Sequence, residues 1–425
     1  MATVPSPGTT GNDTIVPGTG GDTLYGDPFK IDPLSAGHGG NDILTATGDL
    51  NELVGDATTI SGTGRGGNDK LSATGHSNDL FGDAGASMFE NARGGNDVLS
   101  ASGTSNNLVG DARSDMSDSA RGGNDVLSAS GIENLLFGDA LSMSGDARGG
   151  NDTLSASGVG NSLSGDALNI VDGARGGNDS LSATGNGNGL FGDAAANMSG
   201  ARGGNDVLSA SGDLNLLSGD AFGPMSGGAR GGNDVLSATG DGNRLFGDTS
   251  GNLFEGVRGG NDVLTAVSTA GEENKLYGDA LGMFDYAVGG NDTLIGGMGD
   301  DLIVGDALSM DPTAKGGNDQ LWGDAKGATS GGADTFAFAG FIGKDIVSDF
   351  RPGEGDVIQL TGYTTDNDYA LTLDDVLDLS ISVVGGNTVI DIGASLGGVA
   401  NVHTITLRSF TGTLDDTSVI FTDVT

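Results

Sequence analysis

The chain has 425 residues, of which 82 are glycine and only 5% are aromatic, with a single tryptophan. These proportions exclude a conventional globular core of large side chains and favour many thin layers that each bury a few aliphatic residues. The formal net charge is −40, so a nucleic acid or an anionic membrane surface would be repelled. Cysteine is absent, which excludes disulfides and thiolate metal sites.

The first segment, Met1 to Asn12, contains neither a basic region nor an apolar run. We therefore expect that the protein carries no cleaved N-terminal secretory signal. No apolar stretch of the sequence reaches the length of a membrane helix, so membrane insertion is not expected.

A tetrapeptide, Gly-Gly-Asn-Asp, recurs along most of the chain with a nearly constant period. Its first residues are Gly39, Gly66, Gly94, Gly122, Gly149, Gly176, Gly203, Gly231, Gly259, Gly289 and Gly316. Within a unit the aliphatic residues repeat in steps of about nine, as in Leu99, Leu108 and Met116. Each unit therefore reads as three nonapeptides, each a short strand followed by a polar, glycine-rich turn.

One segment, Gly296-Gly297-Met298-Gly299-Asp300-Asp301-Leu302-Ile303, matches the RTX repeat in full, and residues 8–15 and 37–44 match it in part. Over roughly residues 8–335 the chain resembles the RTX (hemolysin-type calcium-binding repeat) family. Most units depart from the pattern, with Ala-Arg before the tetrapeptide and asparagine, as at Asn78 and Asn106, where the family has aspartate. The resemblance implies a parallel β-roll that binds several Ca²⁺ ions.

The expected fold is all-β, a parallel β-roll or β-solenoid of nonapeptide repeats with a 27-residue superrepeat. The resemblance favours two nonapeptides, or about 18 residues, per coil. The alternative is a three-sided β-helix with about 27 residues per turn. We prefer the shorter coil, because the longer one would stack Arg93 on Arg121 on Arg148 at about 5 Å, where like charges repel.

Two columns of aspartates are candidate calcium ligands, since Ca²⁺ prefers carboxylate and carbonyl oxygens. The resemblance implies the first column as ligands: Asp42, Asp69, Asp97, Asp125, Asp152, Asp179, Asp206, Asp234, Asp262, Asp292, Asp301 and Asp319. The second column follows glycine, and its alternative role is turn capping: Asp56, Asp83, Asp111, Asp139, Asp166, Asp193, Asp220, Asp248, Asp279 and Asp306. Asp13 and Asp22, in repeat-like turns, complete the set.

Stacked aspartates about 5 Å apart would repel one another, so we expect the solenoid to close only with cations. Eight arginines precede the tetrapeptides: Arg65, Arg93, Arg121, Arg148, Arg175, Arg202, Arg230 and Arg258. We expect them to pair with aspartates of a neighbouring turn, and the alternative is a solvated basic stripe.

The composition changes near Gly332, where glycine becomes rarer and longer strands are predicted, at 334–338, 345–350 and 356–360. We therefore divide the chain into a calcium-binding solenoid, 1–331, and a C-terminal capping region, 332–425. Residues 404–407 and 418–421 resemble the uncleaved signal of type I secretion. The protein is accordingly expected to be secreted, in the bacterial extracellular space or on the cell surface.

No catalytic motif is present, and the three histidines, His38, His76 and His403, lie far apart in the sequence. Because the repeats begin soon after Met1, no separate catalytic domain is expected, and neither is an enzyme.

The leading hypothesis is an extracellular structural protein, of a surface layer, matrix or filament, that folds and self-associates on binding calcium. The alternatives are a calcium-dependent adhesin, a small membrane-active RTX effector, and an ice-binding solenoid. An ice-binding face would use outward hydroxyl pairs such as Ser72 and Thr74 beside Ser100 and Ser102.

Overall fold

The computed structural model describes residues 11–16, 20–27, 37–268, 273–362, 381–395 and 401–422. The chain forms two compact units, one of Met1–Ala210 with Asp220–Phe222, and one of Ser211–Gly219 with Gly223–Thr425. The described residues are almost entirely β-strands and turns, with one short helical segment, α1 (Ile392–Ser395). Most of the Met1 to Asn12 segment, for which no secretory signal is expected, lies outside the described residues.

The first unit contains three parallel sheets. Its first sheet contains β1 (Thr14–Ile15), β3 (Ile43–Thr47), β5 (Lys70–Thr74), β7 (Val98–Thr104), β10 (Val126–Ile132), β13 (Thr153–Ser157), β16 (Ser180–Thr184) and β19 (Val207–Ser211). Its second sheet contains β2 (Thr23–Tyr25), β4 (Glu52–Val54), β6 (Asp79–Phe81), β8 (Asn107–Val109), β11 (Leu135–Phe137), β14 (Ser162–Ser164) and β17 (Gly189–Phe191). Its third sheet contains β9 (Ala112–Met116), β12 (Ala140–Met143), β15 (Ala167–Val171) and β18 (Ala194–Ser199).

The second unit repeats this arrangement. Its first sheet contains β22 (Val235–Thr239), β25 (Val263–Val267), β28 (Thr293–Ile295), β31 (Gln320–Trp322), β33 (Lys344–Val347), β35 (Ile381–Val384), β36 (Asn387–Asp391) and β37 (Thr404–Leu407). Its second sheet contains β20 (Leu216–Ser218), β23 (Arg244–Phe246), β26 (Lys275–Tyr277), β29 (Leu302–Val304), β32 (Thr335–Ala339), β34 (Val357–Thr361) and β38 (Val419–Thr422). Its third sheet contains β21 (Met225–Ser226), β24 (Asn252–Leu253), β27 (Ala280–Met283) and β30 (Ala307–Met310).

The strand register fixes the size of a coil. Leu71 of β5 pairs with Leu99 of β7, and Leu99 pairs with Leu127 of β10. Pairing therefore joins equivalent positions of successive repeat units, with three strands in a complete coil. The β-solenoid is confirmed, and the preference for the shorter coil of two nonapeptides is wrong. The three-sided alternative, with one complete repeat unit in each coil, describes the structure.

The core explains why the longer coil is favoured. Leu99, Leu108 and Met116 point inward from the three sheets of one coil and are fully buried. Each stacks on an equivalent residue of the next coil, so identical shapes pack in columns, and each buried side chain contributes about 1.5–3 kcal/mol. The arginines that seemed to oppose this stacking do lie in register, as Arg65 and Arg93 show. Their side chains are exposed, so water and salt screen the repulsion.

A second apolar row lies on the outer face of the second sheet in the first unit. Phe81 follows the inward Leu80, so strand alternation directs its side chain outward, yet it is only 1% exposed. Phe81 and Phe137 form a cluster that is covered by Leu141 and Leu168 of the third sheet. The nine-residue spacing of the aliphatic residues predicts only the inward side chains, so this outer row was not predicted from the sequence.

The coils continue beyond residue 331 in the second unit. The strands predicted at 334–338, 345–350 and 356–360 are confirmed as β32, β33 and β34. β32 and β34 stack in parallel, as do β33 and β37. The first sheet then ends differently, because β36 pairs antiparallel with β37 and β35 pairs antiparallel with β36. The domain boundary at 331/332 and the capping role stay predictions.

The coil size can be tested with introduced cysteines, because the chain has none of its own. Ser128 and Ser155 are register partners on adjacent coils, at a strand spacing of about 4.8 Å that a disulfide can bridge. We expect Ser128→Cys with Ser155→Cys to form an intramolecular disulfide on mild oxidation, measured by loss of free thiol and intact mass.

The matched control is Ser128→Cys with Asp146→Cys, whose positions are separated by two nonapeptides and would be neighbours only in the shorter coil. This second pair should remain reduced. A disulfide in the control pair and none in the first would restore the shorter coil.

Candidate metal centre

Both aspartate columns lie inside the solenoid. Asp97 is two residues before the inward Leu99, so strand alternation directs its side chain inward as well. Asp111 follows β8 across a single glycine and also points into the interior. Every predicted member of the two columns is at most 3% exposed in the folded chain. The columns are therefore rows of buried carboxylates.

The two columns meet in the interior. One oxygen each of Asp83, Asp97 and Asp111 lies within 4.8 Å of the others, so a first-column carboxylate faces two second-column carboxylates of successive coils. The same arrangement recurs in two further groups, formed by Asp27, Asp42 and Asp56 and by Asp56, Asp69 and Asp83. A fourth group joins Asp306 of the second column to two first-column carboxylates, Asp319 and Asp345. Each of these buried groups could hold a metal ion.

Two members of these groups, Asp27 and Asp345, were missed in the sequence. Asp27 follows a glycine directly after β2, which is the signal used for the rest of the second column. Asp345 accepts a hydrogen bond from the amide of Asp319 at 2.9 Å and so continues the first column. It follows lysine instead of the Gly-Gly-Asn sequence that marked the other members.

One oxygen of each carboxylate is held by backbone. The amide of Asp69 donates to Asp97 Oδ1 at 2.6 Å, and the amide of Asp97 donates to Asp125 Oδ1 at 2.7 Å. In the second column the amide of Gly95 donates to Asp83 Oδ2 at 2.8 Å. Gly95 and Asp83 are 12 residues apart, so the hydrogen bond connects two sides of the coil. It is therefore not the local turn capping that was the alternative role of this column.

The other carboxylate oxygen is the unusual feature of the interior. Among the described residues, many members of both columns keep one buried oxygen without a hydrogen-bond partner. They include Asp42, Asp69, Asp97, Asp125, Asp152, Asp179, Asp292, Asp319 and Asp345 in the first column, and Asp27, Asp56, Asp83, Asp193 and Asp279 in the second. A buried, unpaired carboxylate oxygen is costly, so these atoms require a cation or a proton.

The arginines do not supply that cation. All eight side chains before the tetrapeptides are exposed, and the ion pairs found in the described part of the chain involve none of them. The predicted pairing of these arginines with aspartates is therefore wrong for the described residues. The alternative, a basic stripe open to solvent, is what the structure shows.

Glycine makes the close approach of the oxygens possible. A Cβ atom added to Gly82 would lie 1.8 Å from the carbonyl oxygen of Gly110 and 2.3 Å from Asp97 Oδ2. A side chain cannot fit there, and the bare backbone leaves a carbonyl oxygen and a free carboxylate oxygen close together. Carboxylate and carbonyl oxygens are the donor set that hard divalent cations prefer.

A third column shows what the interior does without a cation. It precedes the second-sheet strands and consists mainly of asparagine, in which the amide of Asn78 donates to Asn106 Oδ1 at 3.0 Å. The side-chain Nδ2 of Asn78 donates to the same oxygen at 3.0 Å, so these neutral side chains satisfy each other. Asn243 and Asn274, further along the column, keep a buried Nδ2 without a partner. The first Asp column shares the backbone contact. Its second carboxylate oxygen cannot donate as the asparagine nitrogen does, and at Asp69 and Asp97 it has no partner.

Asp22 and Asp301 belong to this third column. The amide of Asp22 donates to Asn51 Oδ1, and the amide of Asn274 donates to Asp301 Oδ1. The assignment of Asp301 to the first column is therefore corrected, whereas Asp13 does join that column through its amide contact with Asp42. The motif around Asp301 differs from the other repeats. It makes Asp301 resemble the aspartates that precede first-sheet strands, although Asp301 precedes β29 of the second sheet.

The third column ends in an acidic corner with its own counter-ion. Burial, together with the charges of Asp356, Asp301 and Asp324, raises the pKa of Asp334 to about 8. Arg351 forms an ion pair with Asp324 and donates to the carbonyl of Ala328 at 2.5 Å. A side-chain cation thus balances part of the charge here, unlike in the two Asp columns.

The interior carboxyls hold protons strongly. Burial raises the pKa of Asp42 to about 7, of Asp56 to about 8 and of Asp69 to about 9, and nearby carboxylates add to the effect on Asp69. Burial and the charges of Asp83, Asp125 and Asp69 raise the pKa of Asp97 well above its usual range. Protons and metal ions therefore compete for the same oxygens.

These raised pKa values set the pH dependence of the metal-free protein. The folded chain binds more protons than the unfolded chain between about pH 4 and pH 9, so the free energy of unfolding falls as the pH rises. In excess chelator we expect β-structure to be greater at pH 5.5 than at pH 7 and to be lost towards pH 9, measured by far-UV circular dichroism. Equal or greater stability at pH 9 would contradict the assigned burial of the carboxyls.

No helix among the described residues combines the length and the hydrophobicity that crossing a bilayer requires. No protein-family model matches the chain, and no curated protein matches it.

Proposed function

We propose that this protein is a calcium-binding structural solenoid, in which Ca²⁺ ions lie between the buried aspartates of successive coils and complete the fold. The observation that carries the proposal is the set of buried aspartates whose carboxylates converge within 4.8 Å, most of which keep one oxygen without a hydrogen-bond partner. Such oxygens need a positive charge, and the eight arginines that precede the tetrapeptides do not supply it within the described part of the chain.

Calcium fits the donors better than other common ions do. Ca²⁺ takes six to eight oxygen ligands in flexible geometry, and Asp83, Asp97, Asp111 and glycine carbonyls would supply them. Mg²⁺ requires near-ideal octahedral geometry and keeps several waters, which suits an interior packed with backbone less well. Zinc and copper favour nitrogen and sulfur ligands, and the groups found here are aspartates alone.

Charge explains why the ion would control folding. Two carboxylates about 5 Å apart repel by roughly 3 kcal/mol at an effective dielectric of 20, and each coil adds further pairs. A divalent cation between them turns that repulsion into attraction. Binding free energy then becomes folding free energy, so the metal-free chain at neutral pH would remain largely unfolded.

A structural role outside the cell fits a chain that is built mainly of repeated coils. Coils of one kind fill both units, and the RTX resemblance implies export by type I secretion. We propose that the protein is not an enzyme and that it contributes to a surface layer, matrix or filament through self-association. The edge strand β35 supports this, because its Val383 and Val384 are 61% and 60% exposed.

The ice-binding alternative is less well supported. The hydroxyl pairs do face outward in register, as Ser72 and Thr74 stack on Ser100 and Ser102. They line a recessed surface, and exposed Val98 and Val126 share the same face. A flat, regular hydroxyl lattice is therefore not what the first sheet presents.

Calcium coupling can be tested with one buried and one exposed aspartate. In chelator at pH 8 the wild-type protein should give a coil-like circular dichroism spectrum and gain β signal on millimolar calcium. Asp97→Asn should lose about 1–3 kcal/mol of calcium-dependent stability, which lowers the melting temperature in calcium by about 3–8 °C. The same substitution should stabilise the metal-free form, because it removes a buried charge.

The matched control is Asp146→Asn, which removes an equal charge at an exposed position and should change neither quantity by more than about 1 °C. Full β-structure in excess chelator at pH 8 would overturn the calcium proposal. A magnesium response equal to the calcium response would overturn the choice of ion.

Assembly has a separate test. Sedimentation velocity across a calcium titration should show the folded chain passing from monomer to larger species as calcium rises. A protein that folds with calcium but stays monomeric at high concentration would contradict the structural-polymer role while leaving the calcium site intact.

A further inference from the structure

The exposed arginines of the first unit form a straight row. Backbone bridges join equivalent arginines of successive coils in parallel register, so the backbones of these arginines follow one another at the strand spacing of about 4.8 Å. This arginine ladder consists of Arg65, Arg93, Arg121, Arg148, Arg175 and Arg202, all of them exposed. It holds six of the 18 basic residues of an otherwise strongly acidic chain.

A second row of polar groups runs beside the ladder. Asn68, Asn96 and Asn124 stack through contacts in which each amide N–H donates to the side-chain oxygen of the coil before, at 2.8 and 2.7 Å for the last two. Together with Arg93 and Arg121 they line a surface groove whose floor is made of glycines. The groove therefore offers guanidinium groups on one side and carboxamides on the other.

The positive charge of the ladder is not neutralised within the unit. Among the described residues no acidic side chain forms an ion pair with a ladder arginine, although exposed acids such as Asp118 and Asp146 lie two or three residues before one. Charges of one sign at this spacing repel by about 1 kcal/mol per neighbouring pair even in water. An anion laid along the row would relieve that repulsion.

We propose that the arginine ladder binds a linear acidic polysaccharide that carries a carboxylate on successive sugars. In an extended chain of uronate sugars successive carboxylates point to alternate sides, so the carboxylates on one side recur every second sugar and can meet alternate guanidinium groups of the ladder. Each guanidinium group can hold a carboxylate in a bidentate contact, and the neighbouring asparagines can hydrogen-bond the sugar hydroxyls. A nucleic-acid duplex fits less well, because its phosphates follow a helix and only a few could meet a straight row.

This inference rests on the proposed function, since it names a matrix component to which an extracellular solenoid would attach. Calcium loading would favour the contact, because cations in the interior reduce the net negative charge that otherwise repels a polyanion.

The test uses the calcium-loaded full chain and short oligogalacturonate, with a neutral glucan oligomer as the control ligand. The variant Arg93→Gln with Arg121→Gln removes two ladder charges, and Arg113→Gln with Arg244→Gln removes two exposed charges elsewhere. We expect the ladder variant to weaken oligogalacturonate binding at least about tenfold and the control variant to change it less than about twofold. Binding should also weaken as salt rises, and the neutral glucan should not bind.

Circular dichroism and melting in calcium verify that both variants are folded. Equal binding by the two variants would overturn the proposal, because it would mean that the ladder arginines do not carry the contact. Tight binding of single-stranded DNA or polyphosphate with no binding of oligogalacturonate would also overturn it. A protein that folds with calcium but binds no uronate contradicts this inference alone.

Discussion

The rest of the structure depends on carboxylates that are buried one above another. Many of these carboxylates keep one oxygen without a hydrogen-bond partner. A column of this kind cannot persist as anions in a protein interior, because desolvation and mutual repulsion both act against it. The same two effects raise the pKa values of Asp56 and Asp69, because they destabilise the anion relative to the protonated acid. The fold is therefore conditional on whatever neutralises the columns.

The repeat places asparagine where no cation is needed and aspartate where one is. At Asn78 and Asn106 the side chain accepts a hydrogen bond from a backbone amide with its oxygen and donates one with its nitrogen. These neutral side chains therefore need no cation. Where aspartate stands instead, as at Asp83 and Asp97, the second oxygen faces other carboxylates. Glycine keeps the backbone close enough for carbonyl oxygens to join them, as at Gly82. Core leucines add apolar burial to every coil but leave this charge balance unchanged.

Much of this could be predicted from the sequence, because a regular repeat makes register visible. The repeat period, the inward leucines and both aspartate columns follow from spacing alone. The coil size did not, because repulsion between Arg93 and Arg121 argues for a shorter coil, whereas in the structure both side chains are exposed and water screens that repulsion. The outer row around Phe81 depends on a contact between two sheets that no local pattern reveals. Asp345 lies where the repeat motif has faded, so only the strand register identifies it.

The most direct test of the central claim is a crystal structure of the calcium-loaded protein with data collected for anomalous scattering from calcium. Anomalous peaks should lie between the two columns, within bonding distance of Asp83, Asp97 and Asp111, and should repeat from coil to coil. A well-ordered solenoid with no anomalous peak in the interior, its aspartates paired as protonated acids, would contradict the account.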